Sequence, residues 1–163
     1  MLKLDYDKAQ IEAAIDKIVK KTMNMDLTWD WPCGVAYYGI SEAYENTGKV
    51  EYLNLLKDRV DELIELGVPE VWTVNACAMG HCLVSLYKAT GEQKYYDILM
   101  TKVKYIREDA LRFGDNVLQH TVSANNDFPE QAWADTLFMA AFLMLRVGVM
   151  NKDEDMINDA LNQ

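Results

Sequence analysis

The 163-residue sequence has few prolines, little positive charge and an odd number of cysteines. Its 16 lysines and arginines stand against 26 acidic residues, for a formal net charge of -10. Nucleic acids and anionic membrane surfaces bind clustered cations, so we expect neither nucleic acid nor a membrane as partner. An anionic group of a ligand then needs local donors, such as helix N-termini or a single arginine.

The three cysteines, Cys33, Cys77 and Cys82, follow no regular spacing, which indicates reduced thiols in a cytoplasmic protein. His81 lies beside Cys82, but no second histidine or acid stands at ligand spacing, so we expect no metal and no cofactor. The N-terminus lacks an apolar signal core, and we expect no window that approaches a membrane span.

Strand signals are nearly absent, while helical periodicity covers long stretches of what we expect to be one domain, 1–163. A long polar loop is predicted at 115–127. Helices are predicted over 7–24, 35–47, 50–66, from just after Asn75 to Ala89, over 93–113, from a start within 129–132 to Gly148, and over 152–161.

The sequence contains an internal repeat, because Ala43–Tyr52 aligns with Leu86–Tyr95 at an offset of 43 residues. Each unit is a helix pair that cannot bury its apolar face alone, so the pairs should stack. The first helix of each pair is apolar nearly all round and the second is amphipathic, which places them inside and on the rim. The pattern predicts an all-α fold of helical hairpin repeats in two concentric layers, an α/α toroid or a fragment of one.

The entrance of every predicted inner helix carries tryptophan and a polar residue, and these side chains should converge on one face. Tryptophan beside acids or amides suits a carbohydrate, since the ring stacks on the sugar while oxygens bind its hydroxyls. The alternative is that each tryptophan packs between stacked helices. The tryptophans are Trp29, Trp31, Trp72 and Trp133, and the polar residues are Asp30, Asn75 and Asp135.

Asp135 enters an apolar helix with no lysine or arginine within ten residues on either side. Such a carboxylate is costly unless something stabilises it, and a first-turn acid that satisfies backbone donors is the simpler interpretation. His120 lies in the polar loop that leads to this helix, so it is either an ordinary surface residue or covers the same face. His81, inside an apolar helix, is expected to be a core residue.

Three motifs together resemble the unsaturated glucuronyl and rhamnogalacturonyl hydrolases of glycoside hydrolase families 88 and 105. They are Trp29–Ala36 with its tyrosine-rich helix, the Thr-Gly…Tyr element of both repeats, and Gln131–Met139. The resemblance covers most of the chain and corresponds to the N-terminal half of these enzymes; the stretch from Trp133 to Met139 is its specific part. It implies about half of an (α/α)6 six-hairpin toroid and release of a Δ4,5-unsaturated uronic acid from an oligosaccharide.

The resemblance also implies roles for individual residues. Asp135 matches the catalytic aspartate, which protonates C4 of the vinyl ether and helps water to add at C5. Trp31 and Trp133 are expected to stack on the small unsaturated oligosaccharide, and Asn75 and His120 to make polar contacts. Asn75 stands where the family's second acid is expected, and an amide cannot titrate, so it can only orient substrate.

Half a toroid leaves the faces of its inner helices exposed, which monomers rarely tolerate. We therefore expect self-association through the open edge, or a chain that is part of a longer protein. The alternative function is a non-catalytic helical-repeat fragment that binds sugar weakly or serves only assembly.

Overall fold

The computed structural model describes residues 7–70 and 72–163, and the chain is mostly helical. The prediction for the extreme N-terminus falls largely outside these residues. In chain order the elements are α1 (Lys8–Thr22), α2 (Trp31–Thr47), α3 (Val50–Leu66), a 3-10 segment (Asn75–Met79) that leads into α4 (Gly80–Thr90), α5 (Gln93–Lys104) with a π-helical end (Tyr105–Asp109), β1 (Arg112–Phe113), β2 (Val117–Leu118), α6 (Ala134–Thr136), a second π-helical segment (Leu137–Ala141), α7 (Phe142–Asn151) and α8 (Glu154–Leu161).

The helices form two layers, as the repeat predicts. The 3-10 segment and α4 lie in the middle, with α2 packed on one side and α7 on the other. All residues from Val74 to Leu86 are buried, so this inner helix is surrounded on every side. The rim helices α3 and α5 bury only one stripe each, and they pack on α2 and α4 respectively.

Two glycines allow the inner helices to approach each other closely. A Cβ atom on Gly34 would lie 2.5 Å from the carbonyl carbon of Ala78, so α2 nearly touches the backbone of the 3-10 segment. A Cβ atom on Gly80 would overlap the side chain of Leu143 in α7. These contacts fix the segment that begins with Asn75 between its two neighbours.

Two predicted helix starts are wrong, and local hydrogen bonds explain both. Helix α2 begins at Trp31 rather than at residue 35, because the Asp30 carboxylate caps the Trp31 N–H and Pro32 favours the first turn. The third inner helix begins at Ala134 rather than within 129–132, and it extends past Gly148 to Asn151. Residues before it are held non-helical, since Glu130 has a φ of 56°.

The predicted helix over 93–113 is too long, and the polar loop after it is partly ordered as a hairpin. After the π-helical end, Arg112 pairs with Leu118 and Phe113 with Val117 in an antiparallel two-stranded sheet. The Arg112 guanidinium donates to both carboxylate oxygens of Asp159, at 3.0 and 2.8 Å. This bidentate pair holds the hairpin against α8.

Within the described residues, one helix is long and apolar enough to cross a membrane by length and composition alone. It spans Ala134–Asn151, with a mean hydropathy of 1.3. The expectation that no window approaches a membrane span is therefore wrong. Of its residues, 44% are buried inside the protein, and the helix packs on α4. The inner helix of a layered fold has the same apolar composition as a membrane span.

Candidate active site

A cavity of about 400 Å³ lies where the three inner helices begin. It brings together all five residues that the sequence predicted for the site, although Asp30 is not among its lining residues because it caps α2. The lining residues are Trp31, Val35, Asn75, His120, Val122, Trp133, Asp135, Phe138 and Met139.

The loop that carries His120 is fixed by hydrogen bonds to the entrances of two inner helices. Thr121 accepts from the Val74 N–H through its hydroxyl at 2.9 Å and from the Asn75 N–H through its carbonyl at 3.2 Å. On the other side, the His120 N–H donates to the Gln131 carbonyl at 2.8 Å. The loop thus bridges the second and third entrances and lies on the face of Asp135.

His120 is 1% exposed, so its interpretation as a surface residue is wrong. Its ring stacks parallel on Trp133, with centroids 4.2 Å apart and planes at 7°. Phe128 packs on the same tryptophan at 4.7 Å. One face of Trp133 is therefore covered, while the side chain stays 40% exposed at the cavity, and Trp31, which also lines the cavity, is 46% exposed. Two indole surfaces are available to a flat ligand.

Three buried polar atoms of the cavity residues have no hydrogen-bond partner among the described residues. They are Asn75 Oδ1, His120 Nε2 and Asp135 Oδ1. A buried polar atom left without a partner costs about 1–3 kcal/mol, and native proteins keep few of them. Three such atoms around one cavity form a set of donors and acceptors suited to a polar ligand.

Asp135 does not act as a helix cap. Its carboxylate accepts no backbone N–H within the described part of the chain, and its closest charge partner is His120, with Nδ1 3.5 Å from Oδ1. The interpretation as a first-turn acid that satisfies backbone donors is therefore wrong. Burial lowers the pKa of His120, and the charge of Asp135 opposes that shift. The imidazole is therefore mainly neutral at pH 7.

The other two entrance tryptophans are structural, as the packing alternative predicts. Trp29 is 8% exposed and donates from Nε1 to the Leu63 carbonyl of α3 at 3.1 Å. Trp72 meets it edge to face at 6.4 Å. The prediction that all the tryptophans converge on the site is therefore wrong for Trp29 and Trp72. Their rings instead pack against a buried cation.

That cation is Lys102, which the sequence analysis missed. Its ammonium lies 3.2 Å from the centroid of the Trp72 ring and donates to the Ala76 carbonyl at 3.3 Å, directly beneath the 3-10 segment. Burial lowers the pKa of Lys102 to about 7. The sequence does indicate its burial, because Lys102 stands three residues after Leu99 and therefore falls on the apolar stripe of α5.

His81 is a core residue, as predicted. It is fully buried, its Nε2 donates to the Phe138 carbonyl at 2.8 Å, and its Nδ1 accepts from Arg146 at 3.1 Å. Burial lowers its pKa to about 4. The neighbouring thiols Cys77 and Cys82 are also buried, which raises the pKa of each to about 12 and keeps them protonated.

Solved structures share this arrangement of helices. A possible member of the GH105 family from Klebsiella pneumoniae superposes with a TM-score of 0.88 at 20% identity, over 100% of this chain and 48% of that chain. A second one, from Salmonella enterica, gives the same score and coverage at 21% identity. The fold is thus about half of an (α/α)6 toroid, as predicted.

The sequence comparisons define the family. Residues 6–163 match Glycosyl Hydrolase Family 88, and the chain belongs to this family. It is 48% identical to the unsaturated rhamnogalacturonyl hydrolase YesR of Bacillus subtilis, over 100% of this chain and 47% of that protein. The predicted resemblance is confirmed, and the chain spans about half the length of this relative.

Proposed function

We propose that this chain supplies the acid/base group and one wall of the binding site of a hydrolase for Δ4,5-unsaturated uronyl oligosaccharides, such as breakdown products of pectin or glycosaminoglycans. The observation that carries the proposal is the set of three buried, unpartnered polar atoms at a cavity that two half-exposed indoles also line. Membership of the glycoside hydrolase family supports the same chemistry.

In the proposed reaction, the carboxyl of Asp135 donates its proton to C4 of the vinyl ether, and positive charge develops at C5. Water then adds at C5 and returns a proton to the carboxylate, which makes one residue both acid and base. The resulting hemiketal opens at the ring oxygen and leaves a ketone at C5. The hemiacetal at C1 then releases the remaining saccharide as an alcohol, so one water is consumed in total.

The other residues of the site bind and orient the substrate in this proposal. Trp31 and Trp133 stack on sugar faces, since both indoles line the cavity and are about half exposed. His120 and Asn75 direct their unpartnered atoms at substrate oxygens or hydroxyls. Asn75 orients the substrate and takes no part in proton transfer, because an amide does not titrate.

The test follows the ultraviolet absorbance of the conjugated double bond while the protein is incubated with unsaturated disaccharides. We expect loss of absorbance with the wild type, and a loss at least about 100-fold slower with Asp135→Asn. Asp30→Asn is the matched control, because asparagine caps a helix as well as aspartate does and Asp30 does not line the cavity. No loss in the wild type, or equal loss after Asp135→Asn, would remove the catalytic assignment.

The second candidate is a non-catalytic fragment that binds sugar or serves assembly. It is favoured by the half-exposed Trp31 and Trp133 at the cavity, which can stack on a sugar without any proton transfer. Calorimetric titration with the same disaccharides distinguishes the two. Heat of binding without any loss of absorbance supports the binding-only function, while loss of absorbance excludes it.

We also propose that the chain self-associates through its open edge. An apolar groove of about 550 Å³ lies between α1 and α2, where Ile18 is 64% and Val35 41% exposed. Exposed surface of this kind is typical of interaction sites. Sedimentation should give a dimer that Ile18→Glu converts to monomer. A monomeric wild type at micromolar concentration with a cooperative melt contradicts this proposal.

A further inference from the structure

Thr136 is buried beside the cavity and touches two residues of the site. Its side chain is 2% exposed. Its hydroxyl oxygen lies 3.2 Å from the backbone nitrogen of Trp133 and 3.1 Å from Nδ1 of His120. The Trp133 N–H can only donate, so the hydroxyl accepts there and its own hydrogen remains available for one further bond.

We propose that Thr136 is a positioning residue that fixes the tautomer of His120. The only other hydrogen-bond partner of its hydroxyl within the described residues is Nδ1 of His120. If the hydroxyl donates to that nitrogen, Nδ1 is unprotonated and the neutral ring carries its proton on Nε2. Since Nε2 is the buried atom without a partner at the cavity, His120 then presents an N–H donor to the ligand.

The opposite tautomer fits the contacts less well. A proton on Nδ1 would turn toward the Thr136 oxygen, which already accepts from Trp133, and would leave the threonine hydrogen without an acceptor. Asp135 does not stabilise a proton on Nδ1 by a hydrogen bond, because its Oδ1 lies 3.5 Å from Nδ1, beyond the usual range of an N–H···O bond. Two aromatic rings, Phe128 and Trp133, also pack against the imidazole and offer no acceptor to Nδ1.

The tautomer decides which ligand atom His120 recognises. An Nε2–H donor selects an oxygen that accepts, such as a carboxylate or ether oxygen, whereas a bare Nε2 would select a hydroxyl hydrogen. This consequence rests on the proposed function, but the tautomer itself does not, because it is a property of the protein without ligand.

Nitrogen-15 NMR of the ring nitrogens tests the tautomer without any substrate. The chain has two histidines, and His120→Gln identifies the signals that belong to His120. In the wild type we expect a protonated Nε2 and an unprotonated Nδ1. In Thr136→Val, which removes the hydroxyl at nearly constant shape, the Nδ1–H form should appear, while Thr136→Ser should keep the wild-type pattern. A protonated Nδ1 in the wild type overturns the inference even if the valine variant fails to fold, and so does an unchanged tautomer in a folded Thr136→Val.

Kinetics test the consequence for the ligand. Where the wild type consumes unsaturated disaccharide, Thr136→Val should raise KM about tenfold, as expected for a lost hydrogen bond to a charged group, and Thr136→Ser should restore it. An unchanged KM in a folded valine variant overturns the consequence. If the wild type is inactive but His120 has the expected tautomer, the proposed function fails and the role of Thr136 stands.

Discussion

The close approach of α2 to the 3-10 segment gives a sharp prediction for Gly34→Ala. The new Cβ would lie 2.5 Å from the Ala78 carbonyl carbon and 2.6 Å from the Met79 nitrogen. Ordinary contacts of a Cβ atom begin near 3.4 Å, so α2 must move away by about 1 Å. Both contacts are backbone atoms, and therefore no side-chain rotation relieves the overlap.

The expected cost follows from two opposing terms. Overpacking of a well-packed site costs about 1–3 kcal/mol, while replacing glycine by alanine in a helix returns up to about 1 kcal/mol. A backbone overlap belongs at the upper end of that range, so we expect Gly34→Ala to lower the free energy of unfolding by about 2 kcal/mol. For a chain of this size, the melting temperature should fall by about 4–8 °C.

Gly39→Ala is the matched control in the same helix, because a Cβ atom there meets nothing within 4 Å. It should raise the melting temperature by about 2–4 °C through helix propensity alone. Thermal unfolding followed by circular dichroism measures both variants. The reasoning is refuted if Gly34→Ala melts at or above the wild type, or if Gly39→Ala loses as much stability as Gly34→Ala.

Three further predictions concern buried charge and the entrance tryptophans. Burial lowers the pKa of Lys102 from 10.5 in the unfolded chain to about 7, so the wild type should gain on the order of 5 kcal/mol of stability as pH rises through that interval. In denaturant titrations, the stability advantage of Lys102→Met over the wild type should therefore be largest below pH 7, and an advantage independent of pH contradicts this. Burial lowers the pKa of His81 from 6.5 in the unfolded chain to about 4, so the wild type should lose on the order of 3 kcal/mol of stability as pH falls through that interval. If the stability of His81→Gln falls with pH as steeply as that of the wild type, His81 is not the group responsible. Trp31→Ala should weaken binding of the unsaturated disaccharide about tenfold with little change in melting temperature, whereas Trp29→Ala should lower the free energy of unfolding by about 3–5 kcal/mol. Calorimetric titration measures the first effect and thermal unfolding the second, and a large stability loss for Trp31→Ala with none for Trp29→Ala contradicts the assignment.

The layered arrangement of the fold was predictable because the spacing of apolar residues along a helix shows which of its sides are buried. Most residues from Val74 to Leu86 are apolar and all of them are buried, while α3 and α5 each show one apolar stripe and bury it. Element ends were less predictable where distant partners decide them. The hairpin at Arg112 depends on Asp159, which stands 47 residues later, and no local pattern reports that pairing.

That Trp31, Asn75, Trp133 and Asp135 line one cavity was predictable from their common place at helix entrances, but which tryptophans pack in the core was not. Trp29 and Trp31 stand two residues apart, but the first one is buried and contacts the carbonyl of Leu63 and the ammonium of Lys102. Thr136 carried no signal at all, because its role depends on a loop histidine 16 residues earlier.

The central claim is that Asp135 transfers the proton to the double bond, and the rate of absorbance loss measures it most directly. With equal amounts of folded protein and the same unsaturated disaccharide, we predict a rate for Asp135→Asn at least about 100-fold below that of the wild type, since general acid–base catalysis contributes 10²–10⁴-fold. A wild type that leaves the absorbance unchanged, or an asparagine variant as fast as the wild type, contradicts the account.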